Sequence, residues 1–305
     1  MNCLPYDMNR LYIIGNGFDR YHGLPTRYAD FHIYVKEYYP ELLEKLERYF
    51  ELSVDDDALW QNFEQDLCRY DSGDFMDTYN HIDTSSESFK YSEFYGMTDE
   101  VDEQSGSLVE EIREAFVSWV ESFEFPDLMD RTYDPLKLDT TARLINFNYT
   151  DTLEELYQVP KDRILYIHNN ANAYDGELIF GHAQKKDGKE VPTFDADGEP
   201  TRTPFTDAEN ASRAPFFELQ KDTRSVLKQH RKWFKTLIDV EEVIILGHSL
   251  GKVDWPYFRA IAKLSPQVQW KLSYYGDSER AELHERAAAM LRRTDVQMIT
   301  FSELL

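Results

Sequence analysis

Five short runs hold the residues whose types could do chemistry: Gly15-Asn16-Gly17-Phe18-Asp19, Asn146-Phe147-Asn148-Tyr149-Thr150-Asp151, Tyr166-Ile167-His168-Asn169-Asn170, Gly181-His182 and Gly247-His248-Ser249-Leu250-Gly251. Two glycines two apart let the backbone turn sharply and let a ligand approach, which is the start of a dinucleotide fingerprint. The third glycine of that fingerprint is missing, because Arg20 stands in its place and the next glycine is Gly23. The run therefore reads as a phosphate site or as a plain structural turn. Asn148 and Asp151 read as caps of a helix, and Asn148 equally as an amide presented to a ribose or a water. His168, a lone histidine at a strand end, reads as structural or, beside the other polar strand ends, as catalytic. Gly247 to Gly251 matches the G-x-S-x-G nucleophile elbow. Against a serine hydrolase, Lys252-Val253-Asp254 and Pro256 delay the helix that an elbow needs. Only His284 follows the serine, seven residues after Asp277, and little sheet remains to place both partners. His168, His182 and Asp19 are of metal-ligating types, but no H-x-x-x-H or H-x-H pair joins them, so no metal is expected.

These runs sit at strand ends. Apolar, β-branched or alternating stretches predict strands over Leu11–Ile14, Arg143–Phe147, Arg163–His168, Leu178–Gly181, Glu242–Gly247, Val268–Tyr275 and Val296–Phe301. Between them the pattern predicts helices over Tyr28–Phe50, Ala58–Tyr70, about Leu108 to Phe123, Thr150–Tyr157, Phe216–Ile238, Trp255–Leu264 and, capped by Asp277, to about Arg293. Asp55-Asp56-Asp57 marks a break. Strands alternating with helices predict an α/β fold: a Rossmann-like, largely parallel sheet with helices on both faces and a helical acidic insertion. The organisation expected is one domain over 1–305, with the insertion at about 32–140 and a long loop at about 185–215. In such a sheet the polar carboxyl ends of the strands face one crevice.

A net charge of −24 on 305 residues argues against general nucleic-acid binding, which needs a basic footprint. A small anionic ligand stays compatible, because glycine-rich loops hold phosphate in acidic proteins too. Residues 71–111 carry 12 acidic residues against one basic residue, Lys90. They read as a solvated face or, more sharply, as a docking surface for a basic partner. Lys221, Arg224, Lys228, Arg231 and Lys235 form a stripe that reads as the solvated face of one amphipathic helix or, more sharply, as a contact for phosphate or the acidic insertion. No apolar run reaches the length of a membrane span, and the first residues carry no signal-peptide core. Cys3 and Cys68 are the only cysteines and imply no disulfide framework, so a reducing cytoplasm is expected.

Taken in order, these motifs resemble the AbiH family of bacterial phage-abortive-infection proteins. The match lies in I-I-G-N-G-F-D (13–19), G-L-P-T-R-Y-A-D-F (23–31), N-F-N-Y-T-D-T-L-E (146–154), I-H (167–168), I-F-G-H (179–182) and G-H-S-L-G-K-V-D (247–254). The same order looks more distantly like sirtuin-type domains, a resemblance that implies NAD held by a Rossmann-like sheet. It implies Asn148 and His168 as catalytic residues. It implies ligand contacts among Gly15, Asn16, Gly17, Phe18, Asp19, Thr26, Asp151, His182, Gly247, Ser249 and Leu250. Two departures stand out: Asn169 where a glycine is expected after His168, and Arg20 where an apolar residue is expected. The function implied is a phage-defence effector that binds NAD and hydrolyses its nicotinamide–ribose bond. A non-catalytic nucleotide sensor or interaction protein is the alternative, and the serine hydrolase a third. The partners implied are a nucleotide, and a second copy of the chain or another defence protein, without a membrane.

Overall fold

The computed structural model describes residues 9–50, 60, 62–79, 90, 92–126, 133–171, 177–186, 188, 190–203 and 205–305, without the side chains of 92–95. Cys3 and the break at 55–57 lie outside the described residues. The chain divides into two compact units. The first comprises Met1–Arg27, Val120–Ile179 and Asp222–Leu305, and the second Tyr28–Trp119 and Phe180–Lys221. The expected insertion and long loop thus map mainly onto the second unit, while residues 120–140 belong to the first.

The first unit is built on six strands: β1 (Arg10–Ile14), β2 (Arg143–Asn146), β3 (Ile164–Tyr166), β4 (Glu242–Leu246), β5 (Gln269–Tyr274) and β6 (Gln297–Thr300). Their order is β3-β2-β1-β4-β5-β6, and every pairing is parallel. This is a Rossmann-like sheet covered on both faces. The apolar run of β1 explains why: alternate side chains leave a strand on opposite faces, and both faces are buried. Leu11 and Ile13 enter one core with Ile145, Val243, Ile245, Trp270 and Leu272. That core is closed by Phe258 and Ile261 of helix Trp255–Leu264 and by Leu283 and Ala287 of helix Asp277–Leu291. Tyr12 and Ile14 enter the other with Leu144, Ile244 and Leu246, closed by Phe18 and Leu153. At the amino ends of the strands, buried Glu242 takes Arg10 Nε at 2.7 Å and Lys271 Nζ at 2.6 Å, so its charge is paired twice. The carboxyl ends are left for the turns that concern function.

Several expected elements come out differently. Leu178–Gly181 is not a strand. Gly181 turns the chain with φ +131°, and His182 makes only an isolated bridge to Gln220. That bridge also breaks the expected helix over Phe216–Ile238. Its hydrogen bonds, His182 N to Leu219 O at 3.0 Å and Lys221 N to His182 O at 2.8 Å, pull residues 219–221 out of helical geometry. Asp222 then starts a new helix, Thr223–Gln229, by accepting from Arg224 N and Ser225 N. Lys221 consequently leaves the expected solvated stripe and is buried, with Nζ 2.6 Å from Glu64. The expected loop 185–215 contains a helix, Thr206–Ala211, and the start of another, Ala214–Glu218. Of the helix expected over Ala58–Tyr70, the described residues hold two short turns, Phe63–Asp66 and Leu67–Arg69, while 58, 59 and 61 lie outside the described residues. Helix Asp277–Leu291 is capped by Gly276, with Asp277 in its first turn, and stops before Arg293.

The second unit is helical. Helices Tyr28–Tyr38, Pro40–Tyr49 and Ser92–Glu121 surround Phe31, Trp60, Phe63, Phe116 and Trp119. The last helix starts well before the predicted Leu108, because Met97, Val101, Ser105, Leu108 and Ile112 recur at helical spacing and are buried. From Asp99 onward its acidic residues lie off that buried face, which hid the period.

Candidate functional site

The carboxyl ends of β1 to β4 carry two buried carboxylates with different surroundings. The first is Asp19, in the short helix Asn16–Tyr21 that follows β1. It accepts from Thr150 Oγ1 at 2.6 Å and Thr152 Oγ1 at 2.7 Å, and the Asn148 amide is a further donor. Burial pushes its carboxyl up to about 6, and those three donors pull the other way. Asn148 also gives Nδ2 to Gly15 O at 3.2 Å, and its backbone N–H goes to Asn146 Oδ1 at 3.0 Å. The N-F-N-Y-T-D-T run is thereby tied round the turn after β1. Beside it, the His22 imidazole lies between Phe18 O at 2.7 Å and Tyr157 Oη at 2.6 Å. Burial pushes that ring down to about 4.

The second carboxylate is Asp254, in the turn Lys252–Asp254 that leads from β4 into helix Trp255–Leu264. Its Oδ1 is 3.7 Å from His168 Nε2, and its Oδ2 is 3.6 Å from His248 Nε2. One histidine ends the β3 segment and the other follows β4. His168 is 2 % exposed, His248 7 % and Asp254 9 %, so water screens the three weakly. The Phe147 ring packs edge-on against both imidazoles, with centroids at 5.3 and 4.5 Å. His248 Nδ1 accepts the Leu250 N–H at 2.9 Å, which leaves Nε2 to carry the proton of its neutral ring. His168 Nδ1 lies 3.4 Å from the Phe147 carbonyl, an acceptor, so that nitrogen is the donor of the pair.

Between the two lies a glycine interlock. Gly15 N donates to Leu246 O at 2.9 Å and Gly17 N to Gly247 O at 2.7 Å. A Cβ on Gly247 would stand 2.2 Å from Phe18 N, and one on Gly17 2.7 Å from Gly247 Cα. Gly247 also has φ +66°. These glycines let the turns after β1 and β4 touch.

The structure places the expected site residues unequally. Gly15, Gly17, Asp19, Asn148 and Gly247 meet at the interlock and the Asp19 centre. Asn16 gives Nδ2 to Thr26 O at 2.7 Å, while Thr26 Oγ1 is buried and has no hydrogen-bond partner among the described residues. Asp151 takes the Asn170 amide. Phe18 and Leu250 are core residues. Ser249 is exposed, and its carbonyl takes the Arg286 guanidinium at 3.0 Å. His182 belongs to the second unit, where its Nε2 faces Phe216 O at 2.9 Å. Sequence reading did not single out His248 and Asp254 as candidate site residues. Both stand in G-H-S-L-G-K-V-D, where the sequence points to Gly247, Ser249 and Leu250 and no spacing motif marks the pair.

The family model described as bacteriophage abortive infection AbiH matches residues 11–274. The chain belongs to the AbiH family. The matched span contains both carboxylate centres and the interlock, and the family's description suggests a role in phage abortive infection. The similarity to sirtuin-type domains does not emerge from the same comparison. No curated protein matches the AbiH chain. Among its described residues no helix is long and apolar enough to cross a membrane, and no group of three or more His, Cys, Asp or Glu could hold a metal.

Proposed function

We propose that this AbiH chain is an abortive-infection effector that binds NAD at the carboxyl ends of β1, β2 and β4 and hydrolyses its nicotinamide–ribose bond. One observation carries the reading. The strand order reverses between β1 and β4, and the Gly15–Gly17 and Gly247–Ser249 turns flank that switch point, where open parallel sheets bind ligands, with the Asn146–Asn148 turn of neighbouring β2 bonded to Gly15. The buried Thr26 hydroxyl supports it. An unsatisfied buried hydroxyl costs about 1–3 kcal/mol, and a ligand oxygen beside the turn after β1 would remove that cost.

In the reaction, water attacks C1′ of the nicotinamide ribose as the C1′–N bond breaks. Nicotinamide leaves with the bonding pair as a neutral base, and the water's proton passes to His168, giving ADP-ribose and nicotinamide. Asn148, already bonded to Gly15 O, holds the turn that positions the ribose. The test is nicotinamide release from NAD by the purified chain, beside His168→Ala and Asn148→Ala, with calorimetric titration of NAD. Release by the wild type, lost in His168→Ala, upholds the reading; absence of NAD binding by calorimetry overturns it.

A second reading, a nucleotide sensor without catalysis, is favoured by the commitment of the Asn148 amide to Gly15 and Asp19. NAD binding without release at any protein concentration selects it. A homo-oligomer or a further defence protein as partner belongs to either reading and is tested by the mass of the chain in solution with and without NAD.

A further inference from the structure

Two imidazoles from different strand ends converge on one carboxylate, through the same ring nitrogen, in a place that water hardly reaches. The proton inventory makes this more than packing. His248 Nδ1 accepts a backbone N–H, so its neutral ring carries the proton on Nε2, facing Asp254. His168 Nδ1 faces a carbonyl, so its neutral ring carries the proton there, and Nε2 would turn a lone pair toward Asp254. Two electron-rich atoms facing each other in a weakly screened site repel. A proton between them turns the repulsion into an ion pair or a hydrogen bond.

We infer that Asp254 is a positioning residue whose carboxylate joins His168 and His248 into one proton-sharing unit, holding the ring of His168 in a single orientation and tautomer. The inference deepens the hydrolase reading and rests on it only for what the His168 proton is used for. The titratable groups that the described contacts bring against the cluster are His168, His248, Asp254, Tyr149 and Tyr257. The tyrosines contribute ring contacts, with Tyr149 stacked on His168 at 6.1 Å and Tyr257 edge-on at 5.8 Å. Asp254 supplies the negative charge between the imidazoles.

The test uses the full chain, labelled with ¹⁵N at histidine, and follows ring nitrogens by long-range proton–nitrogen correlation from pH 5 to pH 9. His168→Gln and His248→Gln assign the signals. Asp254→Asn removes the charge that both rings face, so the proton affinity of His168 is expected to fall about tenfold or more. His248→Gln removes a competitor for the carboxylate, so the proton affinity of His168 is expected to rise. A scaffolding role for Asp254 gives no such opposed pair of shifts. Should Asp254→Asn fail to fold, His248→Gln carries the test alone. A His168 titration that is unchanged in His248→Gln, or that moves the same way in both variants, overturns the inference. The two readings fail separately: opposed shifts in a chain that binds no NAD refute the nucleotide reading alone, and NAD turnover with an unmoved His168 refutes the proton sharing alone.

Discussion

Asp19 and Asp254 are both buried carboxylates at the carboxyl edge of one sheet, and they are held in opposite ways. Asp19 is closed in by two threonine hydroxyls at 2.6 and 2.7 Å and an amide, donors that do not titrate in the physiological range. Asp254 stands at 3.6 and 3.7 Å from two imidazoles, side chains of the one type whose ordinary range lies there. Short bonds to non-titrating donors make a clamp, which fixes the turn after β1 to the turn after β2. Longer ionic contacts to histidines leave room for a proton to move. The difference assigns a structural clamp to one side of the interlock and, on the reading proposed above, the proton-sharing groups to the other.

The most severe way to break the comparison is to push the two sides apart. Gly247→Ala puts a Cβ 2.2 Å from Phe18 N at a backbone with φ +66°, so neither a rotamer nor a small shift relieves it. We expect a loss of roughly 4 kcal/mol or more in a urea titration, with both centres lost together. A variant that melts like the wild type would show that the turns after β1 and β4 do not depend on each other.

Next in size is the contrast between the carboxylates themselves. Asp19→Ala leaves two buried hydroxyls and an amide without their acceptor, and is expected to cost about 3 kcal/mol. Asp254→Asn keeps shape and removes a charge that the histidines hold only loosely, and is expected to cost about 1 kcal/mol or less while impairing any His168-dependent turnover. If Asp254→Asn proves the more damaging to stability in the same titration, clamp and proton site exchange roles.

A smaller effect sharpens the clamp's own electrostatics. Asp19 titrates at about 6 when folded against an ordinary 3.8, so between those values the folded chain holds a proton that the unfolded chain lacks. Its contribution is full below 3.8 and is lost as pH rises through 6. His22 runs the other way: its ring titrates at about 4 when folded against 6.5, so its contribution is full above 6.5 and is lost as pH falls through 4. Asp19→Asn should therefore remove a stabilisation gained on acidification, and His22→Gln one gained on neutralisation, each about 3 kcal/mol at most. Melting temperatures of both variants and the wild type between pH 4 and pH 7 check this. Parallel curves for Asp19→Asn and wild type would mean that the carboxylate is not confined as described.

Strand runs in the sequence announce this fold because a parallel sheet buries both faces, and Leu11–Ile14 or Val243–Leu246 have no other apolar purpose. The glycine turns are equally visible, since no other residue fits φ +66° beside a neighbouring backbone. What stayed hidden depends on tertiary contact. Phe216–Ile238 has continuous helical periodicity, and only the bridge at His182 interrupts it. Lys221 looks solvent-exposed until Glu64 is placed beside it. Asp254 is one carboxylate among many in an acidic chain, and neither its spacing from His248 nor that from His168 is a motif. Its meaning comes from the closeness of β3 and β4 turns that are far apart in sequence.

The smallest expected effect tests the one residue that sequence made conspicuous and structure does not. Ser249 sits in the elbow-like G-H-S-L-G run, yet its side chain is exposed, and the preceding histidine turns Nδ1 to the Leu250 N–H and Nε2 toward Asp254. A nucleophilic serine needs a base within hydrogen-bond reach and a helix that begins at the serine to buttress its turn. Here Leu250 takes φ +56° and the next helical residues are Lys252–Asp254, a single turn. The adjacent imidazole is directed to the other side. Ser249→Ala should therefore change stability by less than about 0.5 kcal/mol and, on the proposed hydrolase reading, weaken NAD binding at most while sparing the bond-breaking step that His168→Ala abolishes. A serine-directed fluorophosphonate should label the wild type no faster than the variant. Stoichiometric labelling of Ser249, with loss of activity in Ser249→Ala, would move the chemistry from the histidine pair to the serine and end the division between clamp and proton site.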